Sequence, residues 1–437
     1  MQYSRARGRP RPLPSTSRVL KNLMRRSSIP LLVALAGLFL LLASGAQASR
    51  TCDQMRAWLQ QGGGSASGLL VVDTETGQVL CARAPGRPRP LASNMKLFTT
   101  ATALSKLGPE YRIPTKVFRD GTVDAKGVLH GSLYLQGGGD PALGTPSFYN
   151  GYFGGLGTNL FALTPQIKAA GIESITGRLY ADDTIFDRRR GVADSGYATS
   201  PYIGPLSGLA FNSGFSGSTG TSVFSSDPAK LATGKLARSL QGAGIDLPSQ
   251  IALGPTPPDA ERVAMVRSPT LDRLVNLTDV YSNNFFAETL IKLLGARFGS
   301  AGTTAAGASV VEAFARAHGS VVQAVDGSGL TRSNRASPRE VVDLLLGMQE
   351  DPAGEEFIQD LALTGREGTV ADRMGGTAAY GRCRTKTGTI SGVSNLSGYC
   401  FNRSGRVMAF SILMAGVGNL TLAHLNQDRI AGAVAGY

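Results

Sequence analysis

The sequence predicts an α+β protein in which one α+β unit is inserted into another. Three observations carry this. Strand-like runs stand near the start (69–73 and 79–83) and again near the end (381–391, 395–402 and 407–415). Helical spacing dominates from Val263 up to the last strands, over 271–278, 284–294 and 303–317. Between Tyr111 and about Glu261 the texture changes to strand-like pieces, 116–118 and 131–136, alternating with Gly-rich loops, of which 204–221 is the richest. The expected organisation is a leader (1–48), a first part of the main domain (49–110), an inserted domain (111–262) and the second part of the main domain (263–437).

Local signals place the elements. Residues 53–61 read as a short helix, and Glu75-Thr76-Gly77 turns the first hairpin. Residues 97–107 have helical apolar spacing, stopped by Gly108-Pro109. Ser337-Pro338-Arg339-Glu340 is a capping box with proline at the first helical position, opening a helix to Met348. A last helix covers 421–433. No internal repeat is present.

The first 48 residues read as an export signal. Eight basic residues from Arg5 to Arg26, with no acid among them, precede an apolar run over 29–43 and then Ala46-Gln47-Ala48. Small residues one and three places before the cut fit signal peptidase, which puts cleavage after Ala48. The run is short for a membrane span, which needs about 20 apolar residues. The whole chain is +13, and loss of the eight basic residues leaves +5. That modest charge, with no basic stripe interleaved with aromatics, does not support nucleic-acid binding.

Four cysteines follow the leader, an even count that suits disulfides in an exported chain and allows three pairings. Cys383 and Cys400 flank a predicted hairpin almost symmetrically, which favours Cys383–Cys400 and leaves Cys52–Cys81. No pair has the Cys-x-x-Cys spacing of a metal or redox site, so neither a metal nor a cofactor is expected.

The chemistry starts from what is missing. The three histidines, His130, His318 and His424, stand in no context that marks a base, and neither His-Glu-x-x-His nor a P-loop occurs. Lysine can serve instead. Ser93-Asn94-Met95-Lys96 opens a helix, and a spacing of three puts Lys96 one turn beyond Ser93 on the same face. A desolvated lysine near other cations can lose its proton near neutral pH and take one from the serine. Ser282-Asn283-Asn284 lies between two predicted helices; Ser282 can relay a proton to a leaving amine and Asn284 can hold a substrate amide. The same three residues also make a good N-cap. Lys386-Thr387-Gly388-Thr389 lies on a predicted strand, where an extended substrate can pair and Gly388 permits close approach.

Each motif alone is weak. Together, SxxK then SxN then KTG form the signature shared by penicillin-binding proteins and serine β-lactamases. With Gly137-Gly-Gly-Asp-Pro141, Ala181-Asp-Asp-Thr-Ile-Phe-Asp187, Asp326-Gly-Ser-Gly-Leu-Thr-Arg332 and Gly365-Arg-Glu-Gly-Thr-Val370, the chain resembles the D-alanyl-D-alanine carboxypeptidase/endopeptidase family, the low-molecular-mass class C penicillin-binding proteins, from about Gly68 to the C-terminus. The resemblance implies a transpeptidase/β-lactamase-like domain, an antiparallel sheet between helical layers, interrupted by an insertion. The 189 positions from Ser93 to Ser282 fit that insertion, although the stretch after Phe211 looks abbreviated.

The resemblance also implies the roles. Ser93 attacks the carbonyl between two D-alanines, Lys96 takes its proton, and Ser282 and Asn284 shuttle protons and hold substrate. Lys386 supplies positive potential, and Thr387 and Thr389 contact the terminal carboxylate. Backbone N–H groups of Ser93 and Thr389 form the oxyanion hole. Ser391, Arg332 and Asp183 (or its neighbour Asp182) match a pocket for the diaminopimelate side chain. The implied partners are peptidoglycan stem peptides, with β-lactam antibiotics as covalent inhibitors, in the periplasm or outside the cell. The competing readings are a serine β-lactamase, disfavoured by the long insertion and by the absence of a Glu-x-x-x-Asn element between Asn284 and Lys386, and an inert wall-binding scaffold, disfavoured because every catalytic position is filled.

Overall fold

The computed structural model describes residues 49–217 and 223–437; the expected leader, 1–48, lies outside the described residues. The central sheet has six strands in the order Ala362–Leu363, Cys383–Ile390, Val393–Phe401, Val407–Ala415, Gly68–Asp73, Val79–Arg83, all antiparallel. Gly68–Asp73 is buried along its whole length because both faces of the sheet are covered. Successive side chains point to opposite faces, so Leu70 and Val72 enter one core and Leu69 and Val71 the other. The first core is closed by helices Met95–Leu107, Asn284–Phe298, Thr304–Ala317 and Pro338–Glu350, the second by helices 49–63 and Leu420–Val434. Tyr399 spans from sheet to helix, its buried hydroxyl donating to the Leu345 carbonyl at 2.6 Å.

The predicted elements recur with longer ends. The helix expected over 284–294 runs on to Phe298. Gly295, inside it, lets two helices close together: a Cβ on it would lie 2.7 Å from the Ala301 carbonyl oxygen, and one on Gly307 would lie 1.8 Å from that of Ile291. The capping box at Ser337 and Glu340 forms in both directions.

A second, six-stranded sheet is built from the stretch between the first two motifs: five strands run in the order Ile251–Leu253, Leu179–Asp182, Val128–Gln136, Pro114–Val123, Glu261–Arg267, and the short Ser174–Ile175 pairs with Val128–Gln136 off that path. Helices Leu163–Ala169 and Pro228–Gly242 close a core of its own. Its last strand, Glu261–Arg267, pairs with Pro114–Val123, so helix begins at Leu271 rather than dominating from Val263. The stretch after Phe211 holds a turn at Asn212–Gly214, a bridge between Phe215 and Phe224, and then helix Pro228–Gly242.

Both favoured disulfides are present, Cys52–Cys81 and Cys383–Cys400. The second joins residues directly opposite each other on neighbouring strands. The first ties helix 49–63 to the edge strand Val79–Arg83. Replacing Cys52 and Cys81 by serine is expected to lower unfolding stability by about 2–4 kcal/mol, read from the urea midpoint of the double variant against the oxidised parent.

Candidate active site

Ser93 sits in a single turn, Ala92–Asn94, that feeds into helix Met95–Leu107. Ala92 has φ +46°, a left-handed conformation that costs a non-glycine residue about 1–3 kcal/mol and so needs enforcement by its surroundings. Asn94, fully buried, supplies part of it: its Nδ2 donates to the Lys386 carbonyl at 2.9 Å and its Oδ1 accepts from the Ser397 hydroxyl at 2.8 Å. Asn395 adds a second tie, donating to the carbonyls of Pro90 and Leu91. The turn that carries Ser93 is thus sewn to two strands of the central sheet.

One helical turn on, Lys96 Nζ lies 3.1 Å from Ser93 Oγ, 2.7 Å from Asn284 Oδ1 and 2.7 Å from the Ser328 carbonyl. Lys96 is fully buried, as is Lys386. Burial, with the nearby Lys386 charge, pushes the Lys96 ammonium down to about 7, against the pull of Glu288, Asp279 and Asp326. Burial likewise brings Lys386 down to about 8, opposed by Asp279. Asp279 in turn is pushed up to about 6 by its own burial, held from rising further by Lys386.

Ser282 has φ +57°, at the tight turn between helices Leu271–Val280 and Asn284–Phe298. Asn283 caps the second helix, accepting from the Phe286 amide at 3.1 Å. The capping and the catalytic readings of Ser282-Asn283-Asn284 are therefore compatible: the cap fixes where the helix starts, and its first residue, Asn284, reaches Lys96. Asn284 Nδ2 donates to the Tyr202 carbonyl, which brings the inserted stretch to the site.

The third motif lies on Cys383–Ile390. On one side this strand pairs along its length with Val393–Phe401; on the other, Ala362–Leu363 covers only Thr385 and Arg384. From Lys386 onward that edge is open. A Cβ on Gly388 would lie 2.8 Å from the Leu91 carbonyl oxygen and 3.1 Å from the Ser93 nitrogen, so a glycine there leaves clear the space beside the Ser93 amide. Thr387 Oγ1 is 2.8 Å from Thr369 Oγ1. Thr389 and Ser391 are exposed beyond it, and Arg332 donates to the Ser391 carbonyl at 2.6 Å.

A family profile described as the D-Ala-D-Ala carboxypeptidase 3 (S13) family matches residues 52–222 and 215–434. The chain belongs to that family. It is 32% identical to the D-alanyl-D-alanine carboxypeptidase of Actinomadura sp. (strain R39), over 90% of this chain and 86% of the relative. It is 28% identical to carboxypeptidase DacB of Mycolicibacterium smegmatis, over 80% of this chain and 76% of that one. Among solved structures, penicillin binding protein 4 from Haemophilus influenzae superposes with a TM-score of 0.73 at 18% identity, covering 88% of this chain and 99% of that one. The fold is therefore the penicillin-binding transpeptidase type expected from the three motifs.

Within this S13 member Ser93 and Asn284 both contact Lys96, with the Lys386 charge nearby, while one oxygen of Asp183 is engaged within the inserted stretch. Asp183 is buried, and its Oδ2 accepts from both terminal nitrogens of Arg190 and from the Ser207 hydroxyl. Arg190 also donates to the Leu206 carbonyl. Asp183 thereby anchors the loop that presents Tyr202. Asp182 is equally committed, to Thr184, Gln136 and Thr256. The three histidines keep to structural partners or lie apart from the motifs: His130 bonds Asp124, and His318 bonds Asp351 and the Phe314 carbonyl. Among the described residues no group of three or more His, Cys, Asp or Glu is placed to hold a metal.

Sequence reading missed the Ser328 carbonyl and the buried carboxylates Asp279, Glu288 and Asp326. In the sequence the stretch Asp326–Arg332 stands only as a family match, with Arg332 its one assigned residue. Its glycines were the available signal. Gly329 has φ +88°, and a Cβ on it would lie 1.8 Å from the Ala92 carbonyl oxygen, pressed against the Ser93 turn. Gly329→Ala is expected to displace that turn and reduce covalent labelling by a fluorescent penicillin at least tenfold (on the scale of the loss a misplacement of about 1 Å brings), while Gly375→Ala, at a glycine with open space around it, labels like the parent.

Proposed function

We propose that this protein is an exported serine-type D-Ala-D-Ala carboxypeptidase that acts on peptidoglycan stem peptides through a Ser93 acyl-enzyme, with D-alanyl-diaminopimelate endopeptidase action by the same acylation step. The observation that carries this is the placement of Lys96 Nζ between Ser93 Oγ, Asn284 Oδ1 and the Ser328 carbonyl. Two intact disulfides and the basic, apolar leader support export. In this reading the insertion runs from 111 to the end of the Glu261–Arg267 strand, and the segments on either side form the transpeptidase-like domain.

The substrate's C-terminal peptide lies along the open edge of Cys383–Ile390, with its carboxylate toward Thr387, Thr389 and the Lys386 charge. Neutral Lys96 takes the Ser93 proton as Oγ bonds to the carbonyl carbon. The oxyanion is received by the Ser93 and Thr389 amides; removing one such donor typically costs about 10²–10³ in rate. As the C–N bond breaks, Ser282, positioned before Asn284, passes the proton on to the leaving D-alanine amine. An ester remains on Ser93, and water releases it, restoring the serine. Arg332 and Ser391, joined at the end of the strand, are placed to read the stem-peptide side chain. The family assignment and the insertion between the first two motifs favour this reading over a β-lactamase.

Acylation needs Lys96 neutral and Lys386 charged. Raising pH through about 7 deprotonates Lys96 and speeds the step; raising it through about 8 discharges Lys386 and slows it. The acylation rate of a fluorescent penicillin, followed from about pH 5 to about pH 10, is therefore expected to trace a bell with its maximum between those values. Mass spectrometry of the mature chain after incubation with penicillin is expected to show one adduct, mapped to Ser93, slow to leave and absent in Ser93→Ala. Fast turnover of the penicillin would instead indicate a β-lactamase, and a folded chain with no adduct would sink the assignment.

A further inference from the structure

Glu288 belongs to none of the three motifs, yet it is completely buried and lies one helical turn beyond Asn284 on the same face. Its Oε1 accepts from the amides of Gly327 at 3.1 Å and Ser328 at 2.7 Å. The residue whose amide Glu288 holds is the one whose carbonyl accepts from Lys96. The rest of that loop is tied down separately: Asp326 accepts from the amides of Gly329 and Thr331, and Thr99 donates to the Gly327 carbonyl at 2.9 Å.

The Ser328 carbonyl matters because of how a neutral amine is built. It has two N–H bonds and one lone pair. Asn284 Oδ1 and the Ser328 oxygen can only accept, and Asn284 is held in that orientation by its Nδ2 bond to Tyr202. Together they take both N–H bonds. The remaining direction, toward Ser93 Oγ, is left for the lone pair. If the Ser328 oxygen moves away, one N–H is free to turn toward Ser93, and the base becomes a donor to the group it has to deprotonate.

We infer that Glu288 is a positioning residue for acylation: by holding the Gly327 and Ser328 amides it fixes the Ser328 carbonyl, which aims the Lys96 lone pair at Ser93. This rests on Ser93 and Lys96 being nucleophile and base. It requires of position 288 an acceptor of the right reach, not a charge. Burial and the neighbouring Asp326 push the Glu288 carboxyl well above the usual carboxylate range, in keeping with that requirement. Glutamine keeps the acceptor and the length; aspartate keeps the charge but falls one methylene short.

The test is the pre-steady-state reaction of a fluorescent penicillin with the parent, Glu288→Gln, Glu288→Asp and Glu288→Ala, each checked for folding by thermal melt. The limiting acylation rate of Glu288→Gln is expected to stay within about threefold of the parent, while Glu288→Asp and Glu288→Ala lose on the order of 10²-fold in that rate with little change in reversible penicillin affinity. If Glu288→Ala does not fold, the order of Gln above Asp carries the proposal by itself. A folded Glu288→Asp or Glu288→Ala that acylates at the parental rate overturns it. So does a Glu288→Gln that is slow while Glu288→Asp is fast, which would make the charge the active feature. A parent that forms no adduct fails the nucleophile assignment itself, a separate and visible result.

Discussion

A lysine amine removed from water is the constraint on which this site depends. Lys96 has no solvent exposure, and burying an ammonium is costly unless its donors are matched or its proton is lost. The surroundings do some of both. Two fixed acceptors, Asn284 Oδ1 and the Ser328 carbonyl, meet the amine at 2.7 Å, while the second buried lysine, Lys386, disfavours its charge. Buried carboxylates nearby, Asp279 and Asp326, oppose that repulsion.

Holding such a group in place requires a stiff frame, and the central sheet supplies it. The Ser93 turn is bonded through Asn94 and Asn395 to the strand that carries the third motif and to its neighbour, Val393–Phe401. Those strands are locked to each other by Cys383–Cys400. The same strand is left open along its outer edge from Lys386 onward, so the sheet that fixes the nucleophile also offers a surface for an extended chain. The inserted stretch reaches Asn284 through the Tyr202 carbonyl, on a loop anchored by Asp183 and Arg190, and joins the same helix again where Lys292 bonds Asp187 and the Arg189 carbonyl.

Much of this was legible in the sequence where the physics is local. A serine and lysine three apart at the start of a helix must face the same way, whatever the rest of the chain does. The capping box at Ser337 and the hairpin bounded by Cys383 and Cys400 are short-range patterns, and they formed as read. Local patterns say little where close packing is concerned. The helical spacing in the sequence ends at Leu294, while Gly295 continues the helix and marks the close approach of two helices, its missing side chain making room for Thr304–Ala317 and the loop before it.

The sequence by itself determined the three motifs and the family resemblance they carry, because these rest on residue identity at fixed spacing; it favoured one of three cysteine pairings, and the structure has that one. The tertiary structure alone decided what surrounds Lys96. Glu288 and Ser328 are forty positions apart, and Lys96 is far from both along the chain; hydrogen bonds across such distances leave no periodic trace. It also brought Arg190 and Ser207 to one oxygen of Asp183, donors that no local pattern announces. A carboxylate's availability depends on which donors the fold brings to it, and those donors can come from anywhere in the chain.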